Sequence, residues 1–190
     1  MNYLVIYAHP NPASLNHTLK ETVVNTLILA GHNVEVRDLN TISFNPVLSL
    51  DDMAGQRSGI VAPDVAHEQQ YIQWADCLVF VYPIWWTGLP AIMKGYIDRV
   101  FSYGFAYSYD KGIQQGLLKG KKAIIINTHG KTHGEYKSNG LGEALIQTSH
   151  TGIFTYCGFE IVAHLFFDGA DRATANKISV WQEEIIQVLK

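Results

Sequence analysis

The sequence predicts a doubly wound α/β fold, a five-stranded parallel sheet in the order 2-1-3-4-5 with helices on both faces. Three observations lead there. Apolar runs of strand length alternate with segments whose apolar residues recur at three and four positions. Two of the runs, residues 3–8 (YLVIYA) and 77–82 (CLVFVY), have no polar face, as strands buried on both sides do not. Strands one, three and four each end abruptly in a loop rich in Pro, Gly, Asn or His.

Each element follows from its own residues. Residues 3–8 make a central first strand; HPNPAS, with two prolines, breaks it; and Leu15, Leu19, Val23, Leu27 and Ala30 mark one face of a helix that stops at Gly31. Residues 34–37 are a short second strand. The connection from Asp38 to Pro63 is long for a stretch without regular structure, which suggests a purpose. Val65, Ile72 and Ala75 indicate a helix leading into strand three. Leu89, Ile92, Met93, Tyr96, Ile97, Val100 and Phe101 give a strong helical signal, with Pro90 in the first turn. After SYGFAYSY the chain is turn-rich to Gly120. Residues 121–128 form strand four, and the loop HGKTHGEY after it carries two glycines that argue against a helix. Residues 140–157 are weakly helical, 159–167 form strand five, and Ile178, Trp181, Ile185 and Leu189 mark a closing helix. With no repeat or linker, residues 1–190 read as one domain.

Composition narrows the function classes. Charged residues make up 16% of the 190, against roughly 25% in an average soluble domain, while aromatics reach 12%. Less surface than usual is then expected to face water, as a buried subunit interface would explain. A net charge of −3 without a basic cluster argues against nucleic acid or an anionic membrane as partner. Cys77 and Cys157 belong to no metal or redox spacing, and neither a signal segment nor a membrane-length apolar run is present, so a cytoplasmic protein is expected.

Open parallel sheets bind ligands beyond the carboxyl ends of their strands, at the point where the order reverses. Here that crevice lies between strands one and three, lined by residues 9–16 and 83–88. Neither a G-x-G-x-x-G nor a G-x-x-x-x-G-K motif is present. Ser14 and Asn16 at a helix start, with His9, can serve an anion; equally, Ser14 can be a plain helix cap and His9 a solvated loop residue. Ile84, Trp85 and Trp86 offer flat apolar surface to a planar heteroaromatic ligand, or else cap a core or an interface. His129 and His133 have no carboxylate or Cys to complete a site, so no metal is expected. Tyr136 adds a hydroxyl to that loop. Phe101, Tyr103, Phe105, Tyr107 and Tyr109 place five rings in nine positions, more than a solvated connection needs.

Four segments together carry a resemblance. AHPNPASLN, DLNTISFNPVLS, YPIWWTGLPAIMKGYIDRVFSYGFAYSY and CGFE resemble the NAD(P)H:quinone oxidoreductase family of flavodoxin-like flavoproteins, over most of residues 3–165. The resemblance implies a bound flavin that takes hydride from NADH or NADPH and passes two electrons to a quinone or similar acceptor in ping-pong order. FAD is the first choice, since residues 44–48 match the FAD-binding members, with FMN the alternative. It implies cofactor contacts from His9, Ser14, Leu15, Asn16, Pro83, Ile84, Trp85, Trp86, Thr128, His129, Gly130, Lys131 and Tyr136, with Tyr136 as catalytic donor. It further implies a homodimer in which Tyr107 and Tyr109, with Trp86, meet the substrate. The chain departs from the mammalian members in having Gly142 where they carry a catalytic histidine, in a shorter loop at 55–65, and in lacking their small C-terminal domain. An electron carrier, or an ancillary subunit of a potassium-efflux system, are the rival readings.

Overall fold

Side chains alternate across a strand, so the strands with no polar face must feed two cores. The computed structural model, which describes residues 1–190, has those two cores. In chain order the elements are β1 (Asn2–Tyr7), α1 (Leu15–Leu29), β2 (Asn33–Asp38), α2 (Leu50–Ser58), α3 (Pro63–Trp74), β3 (Cys77–Pro83), α4 (Ala91–Val100), β4 (Tyr107–Asp110) and β5 (Ile113–Gly116). There follow β6 (Lys122–His129), α5 (His133–Ser138), α6 (Leu141–Leu145), a π-helical stretch (Ile146–Thr155), β7 (Glu160–Asp168), a 3-10 turn (Ala170–Arg172) and α7 (Ala175–Val188). The parallel sheet runs β2-β1-β3-β6-β7, which is the predicted order with β6 and β7 as its fourth and fifth strands. On one face Leu4, Ile6, Leu78 and Phe80 pack under α3 and α4. On the other Val5, Tyr7, Val79 and Val81 pack under α1 and α7.

Three segments differ from the expectation. The 38–63 connection contains α2, which has no buried residue and so no apolar periodicity; a reciprocal Ser49–Asp52 capping box starts it. A helix, α5, starts at His133 because Thr132 and Glu135 form another capping box, which outweighs the cost of Gly134. The stretch to Gly120 holds the antiparallel hairpin β4–β5, closed at Lys111 and Gly112, both with positive φ.

Arg99 fastens the 38–63 connection to α4. Its guanidinium donates to both oxygens of Asp52 at 3.0 and 3.1 Å, to Asp64 at 2.6 and 3.2 Å, and to the Asn45 carbonyl at 2.9 Å. Gly95 lets Pro46 lie directly on the helix, where any Cβ would collide with it. Arg99 holds the Asp52 carboxyl down at about 2 and lowers Asp64 as well. A carboxyl depressed in the folded state stabilises the fold above its unfolded value, and that stabilisation is lost as pH falls toward the folded value. We therefore expect Arg99→Met to cost about 3 kcal/mol at pH 7, because it leaves the Asp52 carboxylate, a side chain largely shielded from water by Arg99 itself, without its cation, and markedly less near pH 2. Urea melts at the two pH values check this; an equal cost at both would contradict it.

Candidate functional site

The loops after β1, β3 and β6 meet the 3-10 turn after β7 around a cavity of about 500 Å³. Ser14 caps α1, its hydroxyl accepting from the His17 amide at 3.2 Å with the Tyr7 hydroxyl 3.3 Å away. The first amides of α1 have no intrahelical acceptor, which makes this end of the cavity a place for an anion. Asn16 is buried; its side-chain NH2 donates to the Thr128 hydroxyl at 2.9 Å, while its Oδ1 has no partner. A buried acceptor left unpaired is costly, so it fits a ligand that brings a donor.

The Trp85–Gly88 turn closes on itself through two backbone hydrogen bonds, Trp85 N–H to the Gly88 carbonyl and the reverse, at 3.1 and 3.0 Å. Its central residues, Trp86 and Thr87, have φ of 51° and 55°, a conformation that costs a non-glycine residue on the order of 1 kcal/mol. Trp86 is left fully exposed, Trp85 is 44% exposed with its ring edge-on to His9, and Ile84 is buried beside them. The Ile84 amide donates to the Thr128 carbonyl at 2.7 Å, joining this loop to the end of β6.

His129 is buried at the end of β6. Because its Nδ1 faces the Lys131 carbonyl at 2.8 Å, that nitrogen carries the proton and Nε2 holds the lone pair. Burial lowers its pKa, partly opposed by that hydrogen bond. The Gly169 amide donates to the same Lys131 carbonyl at 3.2 Å, stitching the turn after β7 to the loop after β6.

The cavity gathers His9, Ser14, Leu15, Asn16, Pro83, Ile84, Trp85, Trp86, Thr128, His129 and Gly130. Lys131 and Tyr136 do not line it. Tyr136 stands behind His129, ring centres 4.5 Å apart, and lines a second cavity of about 280 Å³ with Gly142 and Phe166. His129 is the wall between the two. Tyr107 and Tyr109 lie on the β4–β5 hairpin in a cluster with Tyr103 and Tyr156, away from the cavity of their own chain. No group of His, Cys, Asp or Glu is arranged to hold a metal. Both cysteines are unpaired, and burial pushes their thiols up to about 12. No helix is long and apolar enough to cross a membrane.

A family profile described as flavodoxin-like fold matches residues 1–189. A Haemophilus influenzae protein named uncharacterized NAD(P)H oxidoreductase is 39% identical over 181 residues, 91% of this chain and 90% of its own length. NAD(P)H dehydrogenase [quinone] 1 of Cavia porcellus is 31% identical over 179 residues, which are 84% of this chain but 65% of the guinea-pig protein. The structure of an NAD(P)H:quinone oxidoreductase from Methanothermobacter marburgensis matches with a TM-score of 0.86 at 26% identity, covering 100% of this chain and 97% of that one. This chain belongs to the NAD(P)H:quinone oxidoreductase family of flavodoxin-like proteins. For the fold alone, a Bacillus anthracis FMN-dependent NADH-azoreductase solved with FMN matches with a TM-score of 0.77 at 17% identity, covering 99% and 97% of the two chains.

Two lining residues escaped the sequence, Ala170 and Asp171. The rule that pointed to the loops after strands one, three and four applies equally after strand five, and would have found them. Asp171 Oδ2 occupies the space where a Cβ on Gly130 would go. Asp171 is exposed and free to swing away. Gly130→Ala should therefore fold normally, with a melting temperature within about 2 °C of the parent, while narrowing the cavity and weakening its ligand. A large loss of stability would show that Asp171 is held more firmly than its exposure implies.

Proposed function

We propose that this member of the family is a flavin-dependent oxidoreductase that takes two electrons from NADH or NADPH and gives them to a quinone or similar aromatic acceptor. One observation carries the reading: a single cavity joins an anion-binding helix start, a buried acceptor without a donor and an exposed tryptophan wall. Phosphate, hydroxyl-bearing chain and flat ring of a flavin match these three in turn. A bound flavin supplies the electron transfer itself, holding two electrons between donor and acceptor so that the two can use one crevice in turn.

We take FMN as the first choice of flavin, ahead of FAD. The 44–48 segment that suggested FAD has another employment here: Phe44 is buried against Tyr96, the Asn45 carbonyl accepts from Arg99, and Pro46 packs on Gly95. FMN also accompanies solved neighbours of this fold, the azoreductase above and a stress protein from Treponema denticola. NADH and NADPH stay equal as donors. A homodimer completes the reading, with Tyr107 and Tyr109 reaching the partner's cavity; the exposed Trp86, Tyr103, Tyr109, Ile113 and Leu117 supply apolar surface for it. The two unpaired thiols suit a reducing cytoplasm.

Within the site Ser14 and the α1 amides hold the phosphate, Asn16 accepts from a ligand hydroxyl, and Trp85, Trp86 and Ile84 orient the ring and exclude water. Reducing a quinone with a nicotinamide consumes one proton from solution, so the cavity needs a group to carry it. His129 Nε2 is that group. Tyr136 acts through the His129 ring as a positioning residue, and the exposed His133, 5.5 Å from His129, connects it to solvent.

Two tests follow. Removing Ser14 and Asn16 side chains together (Ser14→Ala with Asn16→Ala) should weaken flavin binding by roughly 1 kcal/mol per lost hydrogen bond; unchanged affinity in a fluorescence titration would take both out of the site. His129→Gln should slow quinone turnover roughly tenfold, about 1.4 kcal/mol, and flatten the inflection expected of the parent below the usual histidine pKa. Tyr136→Phe should keep the inflection and most of the rate; the reverse order of effects would return the proton to Tyr136.

A further inference from the structure

Of the thirteen residues around the main cavity one carries a formal charge at neutral pH, and it is the carboxylate of Asp171. No Lys or Arg lines the cavity with it. Its neighbour Asp168 is engaged, receiving the His133 amide at 3.0 Å and the Lys177 ammonium at 2.8 Å. Asp171 has no such partner within the chain and stands exposed at the cavity wall.

Its place is set by the backbone. Gly169 adopts a left-handed φ of 61° and starts the 3-10 turn, and the Arg172 and Ala173 amides close that turn on the Gly169 and Ala170 carbonyls. The hydrogen bond from the Gly169 amide to Lys131 then fastens the turn to the loop after β6. The carboxylate comes to rest against the peptide of Gly130, which has no side chain to keep it off.

Two opposed electrostatic features thus share one cavity. The α1 start attracts an anionic ligand group, whereas Asp171 repels one and satisfies only a donor. An oxidised isoalloxazine has a single ring N–H, the imide of its pyrimidine portion; the other donors of a flavin are hydroxyls of its ribityl chain. We propose that Asp171 accepts the hydrogen bond of the flavin imide N–H, fixing which edge of the ring faces the 129–131 loop and lowering its reduction potential. This rests on the flavin reading above. A fixed negative charge beside the ring disfavours the gain of electrons, as it disfavours any neighbouring anion.

The experiment titrates the apoprotein with FMN or FAD and with the 3-methyl derivative of each, in which a methyl group replaces the imide proton. The parent should bind the methylated flavin about tenfold more weakly, the scale of a hydrogen bond to a charged group, whereas Asp171→Ala should discriminate by no more than about twofold. In Asp171→Asn the midpoint potential of the bound flavin should move positive. Circular dichroism checks that both variants fold. Equal discrimination in the parent and Asp171→Ala overturns the assignment, and so does an unchanged potential in Asp171→Asn; a contact to a ribityl hydroxyl would weaken both ligands equally and give that same overturning result. If neither FMN nor FAD binds the parent, the flavin reading fails, and the role of Asp171 fails with it.

Discussion

The site depends on β1 and β3 lying side by side while the helices that follow them depart to opposite faces of the sheet. α1 covers the face of Val5 and Val79, and α4 the face of Leu4 and Phe80. The loops leaving the two strands must therefore separate, and the space between them cannot be filled by either helix. That geometric necessity places the Ser14 cap on one side of the crevice and the tryptophan turn on the other. The third wall comes from β6, whose last residues are tied to both neighbours: Thr128 to Asn16 and Ile84, and His129, through Lys131, to the turn after β7. Few of these ties are apolar contacts. They are directional hydrogen bonds, which fix the positions of loops more narrowly than packing does.

Much of the fold was legible because its strands have no polar face. A continuous apolar run such as 77–82 states its own burial, and the alternation with amphipathic segments then allows few topologies. α2 was illegible for the complementary reason. It buries no apolar side chain, and its position rests on Arg99, a polar tie that reaches Asp52 across 47 positions. A short helix held by its cap and by a distant guanidinium leaves no periodic mark. α5 shows the same limit from the other side, since the reading of the sequence stopped at Gly130 and Gly134 and passed over the Thr132–Glu135 capping box that starts the helix in the fold.

The candidate site divides along similar lines. Ser14, Asn16, Trp85 and Trp86 stand in loops that announce themselves, and the cavity collects them. The roles of His129 and Tyr136 depend on which side of a loop each ring takes, and no spacing encodes that. The family resemblance favoured the tyrosine; in the fold the histidine lines the cavity and the tyrosine stands behind it. Asp171 was missed because the strand-end rule was not carried on to the loop after strand five; what the sequence does not hold is its contact with Gly130, which comes from the bond that draws that turn to Lys131.

The central claim is that one crevice serves donor and acceptor in turn through a bound flavin. An anaerobic stopped-flow experiment on the flavin-loaded protein tests it most directly. Mixing with NADH or NADPH should bleach the flavin absorbance, and a second mixing with a quinone should restore it within the time of one steady-state turnover. A flavin that binds but is left oxidised by both dinucleotides, or is restored far more slowly than turnover, would contradict the account.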